Sequence, residues 1–145
     1  WLKGNRVSRN QIMAIKEESV TEQKNSLAVC LDSILRHAGI TRNTEYDLAQ
    51  GKTATTILSE NMTGVQVLDL SGCTLDAVLY YVNQDIPVLA ILDDGEAVLV
   101  TGFNEFNVVI MEPATGKLYK KGMNDATAWF AENGNHFITY MRTEN

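Results

Sequence analysis

Apolar positions along this chain fall into two regimes. Ahead of residue 84 they recur mostly at helical spacing, and from Ile86 onward they come as short unbroken runs. Behind Asn25-Ser26, either of which can cap a helix, Leu27, Val29, Cys30, Leu31, Ile34 and Leu35 repeat with the helical period until Gly39 stops them. A weaker helix is expected over residues 45–50, capped by Thr44 and ended by Gly51, and a third over residues 53–61. Thr74 caps a fourth over residues 75–83, whose Leu75, Val78, Leu79 and Val82 form one apolar face, and a last helix near residues 125–132 carries Trp129 and Phe130. Near the start of the chain, Ser8 with Gln11 three positions later has the form of a capping box, predicting a short helix through Ile15.

The runs at residues 86–92, 97–103 and 108–111 are rich in Val and Ile and separated by turn residues, which predicts three successive strands. Asp93-Asp94-Gly95-Glu96 supplies the first turn, because Asp-Gly tolerates the positive φ of a tight reversal, and a second hairpin closes over residues 104–107. Pro113 cannot donate to a ladder, so the third run should end at Glu112, and residues 118–120 offer a short fourth strand. Two further strands are expected, one over residues 65–70 between Gly64 and Ser71-Gly72, the other closing the chain over residues 136–141. Helices first and strands later indicate an α+β domain in which N-terminal helices pack on an antiparallel sheet. Any chemistry should sit where the turns of the meander meet the helix that begins near Ser26.

Composition narrows the partners. At 145 residues the chain is one ordinary domain, with no internal repeat or linker, large enough to hold itself together without disulfides or a metal. Its start at Trp1 suggests a piece of a longer or processed product. A net charge of -6 with no Lys/Arg cluster argues against nucleic acid and anionic membrane surfaces. The longest apolar region, residues 86–103, is interrupted by Asp93, Asp94 and Glu96, so direct membrane insertion of the domain is not expected. Cys30 and Cys73 have neither metal-ligand nor redox spacing and read first as small buried residues. Asp93, Asp94 and Glu96 crowd one turn without the spacing of a calcium loop, and Thr115-Gly116-Lys117 lacks the partners of a phosphate loop. No cofactor or metal is called for.

The order of parts resembles the papain-like cysteine peptidases of the bacteriocin-processing, double-glycine-leader type. Gln23, Asn25-Ser26, Gly39 and Tyr46-Asp47-Leu48-Ala49 stand where that family has its Gln, its Asp-Cys-Gly helix start, a helix-ending Gly and a Glu-Leu-Ala-like helix. Asp85-Ile86-Pro87-Val88 matches Gly-x-Pro-Val, the stretch from Gly95 to Phe103 matches a hairpin that begins Gly-His and runs into Val-x-Gly-Tyr, and Glu112-Pro113 matches Asp-Pro. The resemblance covers residues 20–140 and implies a papain-like domain over residues 20–145 with an N-terminal extension over residues 1–19. It places the nucleophile position on Ser26, the histidine position on Glu96, the acidic position on Glu112 and the oxyanion-side glutamine on Gln23.

Those substitutions remove the family's chemistry. A cysteine peptidase needs a thiolate stabilised by an imidazolium that later protonates the leaving amine. A serine hydroxyl is a far weaker nucleophile, and a glutamate, with a reference pKa about two units below that of histidine, is the weaker base and stays ionised at neutral pH. No catalytic residue is therefore expected, and the resemblance implies a degenerate, non-catalytic module of a larger bacterial surface or membrane-associated protein. Its ligand would be a peptide or protein segment meeting Gln23, Ser26, Glu96 and Glu112, with the carboxylates favouring a cationic group. The alternative is an active cysteine peptidase or other thiol hydrolase using Cys30, one helical turn beyond Ser26. It would need His136, since His37 lies two turns along the same helix and cannot fold back. A spacer domain without a ligand is the third reading.

Overall fold

The structure, a computed structural model, describes Gln11–Ile12 and residues 25–143. Helix α1 (Ser26–His37) starts behind Asn25, whose Oδ1 accepts from the Leu27 N–H at 2.8 Å and the Ala28 N–H at 3.4 Å. Asn25 is thus the cap, and Ser26 is the first helical residue with its hydroxyl left for other use. At the far end Gly39 adopts φ +87°, its N–H donating to the Arg36 carbonyl and the Ile40 N–H to the Leu35 carbonyl. This doubly bonded ending satisfies carbonyls that a helix terminus otherwise leaves open.

Thr44 stands ahead of α2 (Glu45–Ala49) as expected but does not cap it. Its N–H and its hydroxyl both lie 2.8 Å from Asp32 Oδ1, and the Glu45 N–H donates to Asn43 Oδ1 instead. The reason is burial: Asp32 is a nearly inaccessible carboxylate on α1, and a buried charge without donors is costly. The same loop carries a two-pronged ion pair, Arg42 Nε and Nη2 on the two oxygens of Asp47 at 2.9 and 3.0 Å. Hydrogen bonding from Arg42 holds the Asp47 carboxyl below the usual carboxylate range. Because the folded-state value lies below the unfolded one, this pair stabilises above about pH 4. The contribution is lost as pH falls through the folded value. Arg42→Gln is expected to reduce the drop in urea midpoint between pH 6 and pH 3, and an unchanged slope would refute the assignment.

The remaining elements are α3 (Ala54–Asn61), β2 (Val65–Asp69), α4 (Leu75–Val82), β3 (Val88–Ile91), β4 (Ala97–Phe103), β5 (Asn107–Glu112), β6 (Lys117–Gly122), α5 (Met123–Glu132) and β7 (His136–Arg142). Thr53 and Thr74 cap α3 and α4 through their hydroxyls. A short strand β1 (Gln11–Ile12) pairs with Phe103 and Gly102, where a helix through Ile15 was expected. Strand β3 ends its pairing with β4 at Val88–Val100, so the last residues of β4 offer unpaired backbone on that side, and β1 takes it. The rest of that expected helix, and Gln23, lie outside the described residues.

The sheet runs β2-β7-β3-β4-β5-β6, with β1 joining β4 and every pairing antiparallel. The closing strand β7 enters between β2 and β3, so residues 136–142 join the edge strand β2 to the meander. Leu89, Leu99, Met111 and Ile138 are in register on one face, and the Ser33 hydroxyl of α1 reaches Met111 Sδ at 3.7 Å there. Phe137 points the opposite way and meets Phe130 of α5 edge-on, with ring centroids 5.3 Å apart. Helices α1 and α5 therefore cover opposite faces; α3 packs with α1, and α4 with α5. All seven residues of β4 are buried as a result.

Candidate functional site

The N-terminus of α1 meets the first residue of β4. Ser26 is buried, and its Oγ accepts from the Ala97 N–H at 2.9 Å. Glu96 immediately precedes that amide, so the helix start and the β3–β4 turn are held side by side. The turn itself is closed by the Leu92 N–H donating to the Glu96 carbonyl at 2.7 Å and the Glu96 N–H donating to Asp94 Oδ1 at 3.0 Å, with Gly95 at φ +87°. The whole turn, Asp93 to Glu96, is exposed. Glu112 ends β5 one step beyond the Leu99–Met111 pair, is partly buried, and accepts from the Ala114 N–H through Oε1 at 3.2 Å.

Cys30 lies one turn further along α1 with no exposed surface. Burial pushes its thiol pKa strongly upward, and the Glu112 carboxylate pushes it further. That dependence on Glu112 links α1 electrostatically to the end of β5, so Ser26, Cys30, Glu96 and Glu112 gather at one end of the sheet. The shift is the reverse of what a thiolate nucleophile requires, and the helix N-terminus does not offset it. His37 is engaged at the other end of α1, whereas His136, in register with Ile91 and through it with Ala97, lies at the end of the sheet that holds Ser26 but bonds neither Ser26 nor Cys30. His37 Nε2 lies 3.2 Å from the Asp85 carbonyl and 3.5 Å from its carboxylate, at the other end of α1. His136 pairs with Ile91 and acts on Asp69, whose carboxyl is lowered first by hydrogen bonds from Ser71. Cys30 and Cys73 are both free thiols.

Chemically, the arrangement offers a hydroxyl oxygen already accepting a backbone amide, exposed carboxylates beside it and no imidazole bonded to it. Among the described residues no group of His, Cys, Asp and Glu side chains is placed to hold a metal ion, and no helix is long and apolar enough to cross a membrane. Two features escaped sequence reasoning. The Asp32–Thr44 contact joins residues whose pairing depends on how the loop folds back on α1. The second is a cleft at the opposite end of α1, for which the only local signal is Asp85, at φ +68°, in the place where the resembled pattern has Gly.

No family model matches the chain, and no curated protein matches it. Solved structures do. A crystal structure from Bacillus anthracis described as a C39-like peptidase superposes with a TM-score of 0.74 at 12% identity, over 92% of this chain and 98% of that one. A double-glycine-motif protease from an AMS/PCAT transporter, in complex with its leader peptide, gives a TM-score of 0.64 at 14% identity, over 91% of this chain and 94% of that one. The domain thus has the papain-like fold of the C39-type, bacteriocin-processing peptidases. At such identities the likeness speaks for the fold and leaves the reaction open.

Proposed function

We infer that this domain, built on the C39-type peptidase fold, is a non-catalytic relative that binds a peptide or protein segment at the junction of α1, the β3–β4 turn and the end of β5. The observation that carries the reading is the Ser26–Ala97 bond: the hydroxyl at the helix start serves as a structural acceptor for the strand, with a glutamate as its neighbour. A neighbour of the same fold binds a leader peptide, which supports a peptide as the ligand class. Asp93, Asp94 and Glu96 are exposed around the junction and Glu112 is partly so, which favours a cationic segment.

The test is fluorescence polarisation with labelled Lys/Arg-containing and Asp/Glu-containing peptides, with mass spectrometry of the mixtures after long incubation. Binding of the cationic set is expected, weakening as salt rises and by about two- to fivefold for Glu96→Gln or Glu112→Gln, the range for a partly exposed charge pair. No cleavage is expected. Cleavage that disappears in Ser26→Ala would overturn the non-catalytic reading, and equal binding of both peptide sets would remove the cationic preference.

A further inference from the structure

At the end of α1 remote from Ser26, about 16 Å away along the helix axis, the chain leaves an open cleft of about 420 Å³. Its size lies in the range of small-molecule sites. Ile40, Met62 and Val65 give it an apolar wall, and His37, Tyr140 and Arg142 bring hydrogen-bonding side chains to it. Tyr140 is 3% exposed, and its hydroxyl makes no hydrogen bond among the described residues. The hydroxyl oxygen is not among the sealed atoms of the core, so it stays open to a partner from the cleft. Arg142 and Asp85 line the same cleft as Tyr140; burial raises the phenol's pKa, the Arg142 guanidinium acts against that rise and the Asp85 carboxylate adds to it. Arg142 spends Nη1 on the Gln84 carbonyl at a long 3.3 Å and leaves the rest of its donor fork to the opening.

Two negative features border the cleft, and each lies against hydrogen-bonding groups of its own. The Asp85 carboxylate faces His37 at 3.5 Å. Carbonyls at the α1 C-terminus receive the N–H groups of Ala38, Gly39 and Ile40. What stays available is a planar cation, an unpartnered hydroxyl and an apolar wall.

We propose that this cleft binds a carboxylate bearing a small apolar substituent, the carboxylate meeting Arg142 and the Tyr140 hydroxyl while the substituent lies on Ile40, Met62 and Val65. The planar guanidinium matches a carboxylate in a two-pronged geometry. The source is either a free organic acid or the C-terminus of a peptide, and both present the same group. This site is independent of the peptide junction, because the two lie at opposite ends of α1.

Titration of the ¹⁵N-labelled chain with N-acetyl-leucine, followed by amide shifts, tests it. Saturable shifts are expected at Ile40, Gly64 and Arg142, with a dissociation constant of the order of millimolar for so small a ligand. The neutral N-acetyl-leucinamide should fail to saturate the site. Arg142→Gln should weaken binding about tenfold or more, and Tyr140→Phe, which keeps the buried ring, about fivefold. Comparing 4-methylpentanoate with a tripeptide ending in leucine separates a free acid from a chain terminus. Absence of saturable shifts, equal binding of the amide, equal binding of inorganic phosphate, or full affinity in both folded variants would each overturn the proposal.

Discussion

In the folded protein Cys30 should resist iodoacetamide almost completely once Cys73 is replaced by Ser to leave a single thiol. Its side chain has no accessible surface, and burial together with the Glu112 carboxylate raises its pKa, so both access and thiolate fraction oppose reaction. Labelling must then wait for opening of the domain. With a stability of about 5 kcal/mol, at the lower end for single domains, native Cys30 should react more than about a thousandfold slower than the urea-unfolded chain. The rate should rise with added denaturant as the open population grows. Rapid labelling in buffer alone, with a midpoint below the ordinary thiol range, would revive Cys30 as a nucleophile and require assay of the domain as a thiol hydrolase.

Phe137→Ala should lower stability by about 3–5 kcal/mol, the cost of truncating a fully buried phenylalanine. Phe137 has no exposed surface, pairs with Ala90 in register and meets Phe130 of α5 edge-on. The substitution opens a cavity between the sheet and α5 and removes an aromatic contact in the same step. Against a total of about 5–15 kcal/mol this is about a fifth or more of what holds the domain together. The readout is the urea midpoint with the slope unchanged. Phe106→Ala is the control: that ring is 73% exposed on the β4–β5 hairpin and should cost less than about 0.5 kcal/mol. Equal losses for the two would mean that α5 does not pack on the sheet as described.

From Asn25 onward, sequence alone determined the elements and their order, because the signals are local. The helix begun at Asn25-Ser26 and stopped at Gly39, the strands of the meander, and the break at Glu112-Pro113 all follow from apolar period, capping residues and the missing N–H of proline. Even so, Asn25 rather than Ser26 caps α1, since the Ser26 hydroxyl has a competing use 71 residues away at Ala97. Thr44 likewise gives up its capping role to satisfy Asp32, and Gln11–Ile12 form a strand because β4 offers them unpaired backbone. Each of these depends on a partner distant along the chain, which no local pattern contains. The site divides in the same way. Its residue types, Ser26, Glu96 and Glu112, are legible in the sequence. Only the tertiary structure decided that Cys30 lies close enough to Glu112 to be acted on by its charge, that β7 enters between β2 and β3, and that Tyr140 and Arg142 line a cleft beside His37. Burial and charge proximity are properties of packed elements, and packing joins residues that sequence distance keeps apart.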